Sequence, residues 1–178
     1  MKNSLVSAIV LFCLLIVSVR SDVLSDSCQE AAKGDPNIKF DFCVSALKDN
    51  PKAKSATRVA DLVGVVIETA ISNSKSIGSV ISKLLSDKSL EQYVRRCLED
   101  CSELYSDVGP SLSRGERAFK GKDYGTANSV ISAAMDVAST CEDQFKEKKG
   151  VVSPLTKENN SFLQLNAISL AFINMAQK

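Results

Sequence analysis

Cys97, Cys101 and Cys141 stand in a chain that contains no histidine. Thiols at such spacings do three kinds of chemistry. They attack carbonyls, hold metals, or pair. Attack needs a nearby base, and without histidine the familiar cysteine–histidine dyads and serine triads have none. Zinc sites built from thiols draw on histidine or on close Cys-x-x-Cys pairs, and neither occurs. Acids near these cysteines, Glu99, Asp100 and Glu103, could act as a glycosidase-like pair only if the fold set them across a cleft. Their spacing places them on the polar face of a helix, where solvation accounts for them. No P-loop and no dinucleotide fingerprint is present. The readings that remain are disulfide pairing and a protein without catalysis, cofactor or metal.

Pairing requires an oxidising compartment. The N-terminus supplies the address. "MKNS" carries Lys2, "LVSAIVLFCLLIVSV" is an apolar run, and Val19 and Ser21 offer short side chains at a cleavage site. This is the layout of a secretory signal peptide over residues 1–21. The other reading, an uncleaved membrane anchor, is disfavoured because the run is short for spanning a bilayer. Cleavage removes Lys2, Cys13 and Arg20. Residues 22–178 then carry 20 basic and 21 acidic side chains, for a net charge of −1. That balance gives no electrostatic reason to expect nucleic acid. It also leaves five cysteines: Cys28, Cys43, Cys97, Cys101 and Cys141. The mature length suits one domain with a real core.

The elements that must position these thiols are helical. Two short helices are expected at about 22–32 and 38–47, separated by "GDPN", with "DNP" as the next stop. Four longer ones follow. The first carries Val59, Val63, Val66, Ala70, Ile77, Ile81 and Leu84 at steps of three and four, with Asn73 in one apolar place. The second carries Leu90, Val94, Cys97, Cys101, Leu104 and Val108, is expected to kink at Gly109–Pro110, and continues to Phe119. The third carries Ala127, Ile131, Ala134, Ala138, Cys141 and Phe145. The fourth carries Phe162, Leu165, Ile168, Phe172, Ile173 and Ala176, with Pro154 expected in its first turn and Ser153 as its cap. No strand-like alternation competes. Four patterned helices joined by short loops predict an all-α, up-down-up-down four-helix bundle with an N-terminal helical hairpin.

Hairpin geometry then pairs the cysteines. Residues equidistant from the turn of an antiparallel hairpin lie side by side. Cys101 and Cys141 are centred on Gly121, inside "KGKD". Cys97 lies one helical turn further, roughly 6 Å away, too far for good disulfide geometry with Cys141. Cys28 and Cys43 are centred between Asp35 and Pro36. The expected bonds are Cys28–Cys43 and Cys101–Cys141. Two readings stand open for Cys97: a buried apolar thiol, or a reactive or intermolecular one.

The cysteine frame, with "DCSELYSDV", "KGKDYGTANSVISAAMD", "STCEDQF" and "SPLTKEN", resembles the plant invertase and pectin methylesterase inhibitors over essentially the whole mature chain. The resemblance implies the same bundle, hairpin and disulfides. It implies a secreted protein of the apoplast or cell wall, less readily the vacuole. It implies no enzyme activity, and a monomer that binds one target in a 1:1 complex and blocks its active-site cleft. Targets would be pectin methylesterases or acid invertases (β-fructofuranosidases). One branch of invertase inhibitors carries Pro-Lys-Phe after a Gly-Asp. Here Tyr124, Gly125 and Thr126 follow Asp123, which resembles the "GDY…N" of the pectin methylesterase inhibitors and favours that target. The alternative is invertase inhibition without that segment. Family binding segments map to the third long helix and the loop before it. Tyr124 is therefore the expected anchor, with Asp123, Asn128 and Asp136 around it, unless Tyr124 merely packs and Asn128 is merely solvated.

One sequon, Asn159-Asn160-Ser161, licenses a glycan on Asn159 without demanding it. A more distant reading is a carrier of small apolar ligands in the bundle core. Against it, the chain lacks the adjacent-cysteine pattern of lipid-transfer proteins, and the helix seams read as packed.

Overall fold

The computed structural model describes residues 22–177. The expected signal segment lies outside these residues. Among the described residues there are seven helices: α1 (Val23–Gly34), α2 (Phe40–Leu47), α3 (Pro51–Lys54), α4 (Val59–Leu85), α5 (Gln92–Lys120), α6 (Tyr124–Lys146) and α7 (Thr156–Ala176). The last four form the bundle. Around its ring α4 packs on α5, α5 on α6, α6 on α7, and α7 back on α4.

The apolar seams face inward as the three-four spacing requires. Leu62, Val66, Ile77 and Ile81 of α4 are buried with Leu98, Leu112, Ile131 and Phe145 of α5 and α6. Helix α7 has no exposed stripe of comparable width. It buries polar Asn159, Gln164, Asn166 and Ser169 beside Phe162, Ile168 and Phe172. The reason is its position. It touches α4 and α6 and also carries the hairpin α1–α2. Gln164 Oε1 accepts the Lys39 N–H at 3.1 Å, fixing the hairpin to α7.

Both predicted disulfides are formed, Cys28–Cys43 with Cα atoms 5.7 Å apart and Cys101–Cys141 at 5.2 Å. Cys97 is free and buried. Two boundaries, at Pro51 and Pro154, differ from the sequence reading. Pro51 does not only stop α2. It occupies the first turn of α3, behind an Asn50 cap, because proline's missing N–H costs nothing there. Helix α5 continues through Pro110 to Lys120, in line with the expected continuation to Phe119. Pro154 and Leu155 form a turn before α7, and the cap residue is Leu155 with no side-chain bond. Ser153 instead accepts the Leu155 N–H at 3.1 Å, so it holds the turn and does not cap the helix.

Candidate functional site

The start of α6 is built by its own residues. Lys122 adopts φ 62° to turn the chain. The Asp123 N–H donates to Ala118 O at 2.9 Å, and Asp123 Oδ1 accepts from the Thr126 N–H at 3.1 Å. These Thr126 bonds, the hydroxyl first, hold the Asp123 carboxyl below its ordinary range. Tyr124 is the first helical residue. It is half-buried against Phe119, ring centroids 5.8 Å apart.

The four residues expected to contact a target do not form one patch. Asn128 lies on the α7 flank of α6, where its Nδ2 donates to Asn174 Oδ1 at 3.1 Å. Asp136 is exposed, about 18 Å along the axis from Tyr124. With about 100° of turn per residue it points away from the core. Asp123 and Tyr124 stand at the tip.

The opposite flank of α6 faces α5 across a groove of about 330 Å³. Its floor includes Leu104, Val108, Val130, Ala134 and Val137, and Glu103, Asp107 and Arg114 reach its edge. Two contacts hold the helices together on either side. One is the Cys101–Cys141 bond. The other is Gly115, where a Cβ would come within 2.9 Å of Ile131 Cδ1. Glycine there lets α5 and α6 touch, while between the two contacts Ala133 and Ala134 are too short to fill the gap. The sequence reading missed this groove. Its signals were Gly115 within a helix and the paired alanines.

Asn159, the acceptor residue of the sequon, lies where three helices meet. It is 3% exposed. Its Nδ2 donates to Glu142 Oε2 at 2.8 Å and reaches Cys141 Sγ at 3.6 Å, while its Oδ1 accepts from the Tyr105 hydroxyl at 2.8 Å. A glycan would replace a hydrogen on that same nitrogen and compete with its bond to Glu142. The residue is a link between α5, α6 and α7. Burial, reinforced by the charges of Glu142 and Glu158, raises the Tyr105 phenol above its ordinary pKa and keeps it a donor.

Cys97 is 5% exposed and beside Tyr93. Burial raises the thiol above its ordinary value, which is the opposite of what a nucleophile needs. Among the described residues no group of three His, Cys, Asp or Glu side chains could hold a metal ion, and no helix is long and apolar enough to cross a membrane. The described concavities are open grooves between helices and not an enclosed chamber.

A scan against protein families matches residues 22–172 to the plant invertase/pectin methylesterase inhibitor family. The chain belongs to this family. A protein of Platanus acerifolia named "Putative invertase inhibitor" is 40% identical over 168 residues, covering 93% of this chain and 91% of the relative. "Pectinesterase inhibitor 12" of Arabidopsis thaliana is 34% identical over 170 residues, covering 94% and 97%. "Cell wall / vacuolar inhibitor of fructosidase 2", also of Arabidopsis thaliana, is 28% identical over 116 residues, covering 65% and 64%. The relatives of this inhibitor-family chain carry the names of inhibitors and not of enzymes.

Proposed function

We propose that this chain is a secreted, non-catalytic inhibitor that binds one plant cell-wall enzyme acting on carbohydrate, as a monomer in a 1:1 complex, and covers its active-site cleft. Pectin methylesterase is the favoured target. The observation that carries this choice is the start of α6. Tyr124, Gly125 and Thr126 occupy the place of the Pro-Lys-Phe segment, so its first turn has no cation to meet an acidic sugar-cleaving site. A rigid bundle held by two disulfides suits the role, because little conformational entropy is lost on docking.

A second reading, inhibition of an acid invertase by another contact, is favoured by the name of the Platanus relative. Titrating the purified secreted protein against both enzyme classes separates the two. Inhibition of a methylesterase at lower concentration than of any invertase supports the first reading. Tight inhibition of invertase alone reverses it.

A further inference from the structure

We propose that the groove between α4 and α5 binds an extended sugar chain that carries a carboxylate, a glycan of the uronate class. The inference goes beyond the inhibitor reading and does not depend on it. Three observations meet at this groove.

The first is a cleft that the chain holds open. Two contacts set the register of α4 against α5. At one end a Cβ on Gly64 would stand 3.3 Å from Glu116 Oε1. At the other the Arg95 guanidinium donates to Leu85 O at 3.0 Å and to Asp87 O at 2.7 Å. The pairs Gly64–Glu116 and Leu85–Arg95 are both centred on Leu90, so residues equidistant from Leu90 face each other. Gly78 then faces Ser102, Ser74 faces Ser106, and Ile71 faces Gly109. Between them lies a groove of about 590 Å³, against about 330 Å³ for the one between α5 and α6. It runs about 16 Å along α4, which suits a chain better than a single ring. Packing does not call for its glycines. A Cβ on Gly78 or Gly109 would meet nothing within 4 Å, yet glycine inside a helix weakens it relative to alanine. What the absent side chains keep open is the groove.

The second is hydrogen bonding. The hydroxyls of Ser74, Ser79, Ser82, Ser106 and Ser113 spend their hydrogens on carbonyls of their own helices and keep lone pairs to offer. Pro110 has no N–H to give the Ser106 carbonyl one turn before it. The groove is therefore rich in acceptors and poor in donors. A matching ligand donates many hydrogen bonds without positive charge, as sugar hydroxyls do. A peptide strand matches less well, because each backbone donor brings an acceptor with it.

The third is charge. Among the residues lining the groove Lys75 alone is charged. It is exposed, and among the described residues it has no salt-bridge partner. Its ammonium disfavours a cationic ligand and gives a carboxylate on the sugar a partner. Ile71 and the exposed Pro110 ring supply apolar surface for the C–H faces of the sugar rings.

The experiment titrates the purified mature chain with a trimer of galacturonic acid, its methyl ester and a neutral glucose trimer, read by amide shifts and calorimetry. The acid should move amides of residues 71–82 and 102–113 and bind about ten-fold or more tightly than the other two. Gly78→Leu puts a side chain into the open space. It should abolish this binding while keeping or raising the melting temperature. Lys75→Gln should reduce the acid to the affinity of its ester. No binding of the acid, equal binding of acid and ester, or a folded Gly78→Leu variant that binds as the parent does overturns the inference. So does sedimentation that finds a parent dimer dispersed by Gly78→Leu, since the occupant is then a second copy of this chain.

Discussion

Tyr105 and Asn159, 54 positions apart in sequence, are hydrogen-bonded at 2.8 Å in the interior, where α5 meets α7. The bond continues through the Asn159 amide to Glu142 Oε2 on α6, and Thr156 donates to Glu142 Oε1 at 2.7 Å. Three helices are tied by one asparagine. Tyr105 also meets Phe162 edge-on, centroids 5.2 Å apart.

The first prediction follows from that tie. The secreted protein should carry no glycan at Asn159, and its intact mass should equal that of the disulfide-bonded polypeptide. Asn159→Ala should lower stability by about 1–3 kcal/mol, since it leaves the buried Tyr105 hydroxyl without its acceptor. A glycosylated, fully folded protein with the parent's melting temperature would show that the interior tie is wrong.

The second concerns the cysteines. Non-reducing peptide mapping should recover Cys28–Cys43 and Cys101–Cys141, with Cys97 alkylated only after unfolding. Cys141→Ser opens a 40-residue span and should cost about 4 kcal/mol in the chain-entropy model. Cys97→Ser should leave inhibition unchanged. A Cys97–Cys141 crosslink in the parent would mean that the α5–α6 register is shifted by a turn.

That register was legible before any coordinates, and the reason is arithmetic. In an antiparallel helical hairpin, distance from the turn fixes the partner, so Cys101 and Cys141 could be paired by counting. Helix ends were less legible where proline is ambiguous. Pro51 and Pro154 both follow a polar residue, yet only Pro51 begins a helix, because Asn50 caps it whereas Ser153 closes a tighter turn. Asn159 was illegible for a different reason. A sequon is a local pattern, and burial is decided by the residues α7 meets across the bundle. The α5–α6 groove was hidden likewise, since Gly115 has meaning only once Ile131 lies opposite it.

The third prediction is the pH dependence of stability. Asp123 is held below its ordinary value by Thr126, Asp61 chiefly by the Thr57 N–H, Asp87 by Ser89, and Glu91 chiefly by Lys148. A carboxyl depressed in the folded state stabilises above its unfolded pKa and loses that contribution as pH falls through the folded one. Cys97 has the opposite sign. Its raised folded pKa means that stability is whole below its unfolded pKa and declines as pH climbs through the folded value. The melting temperature should be flat near neutrality, fall below about pH 4 as the four carboxyls protonate, and fall again above about pH 9. Asp123→Asn should flatten part of the acid limb, and Cys97→Ser part of the alkaline one. An alkaline limb unchanged in Cys97→Ser would show that the thiol is not the group that titrates there.

The last prediction concerns the tip of α6. Tyr124 packs on Phe119, and such aromatic pairs contribute about 0.5–1.5 kcal/mol beyond their buried area. Tyr124 is also only half-buried, leaving part of the ring to a partner. Tyr124→Ala should therefore lower stability modestly and, after correction for folded fraction, weaken inhibition by about 1–3 kcal/mol. Tyr124→Phe keeps the ring and should restore stability, so any loss of inhibition that remains belongs to the hydroxyl. If Tyr124→Ala inhibits as well as the parent once folded fraction is accounted for, the ring only packs the helix start.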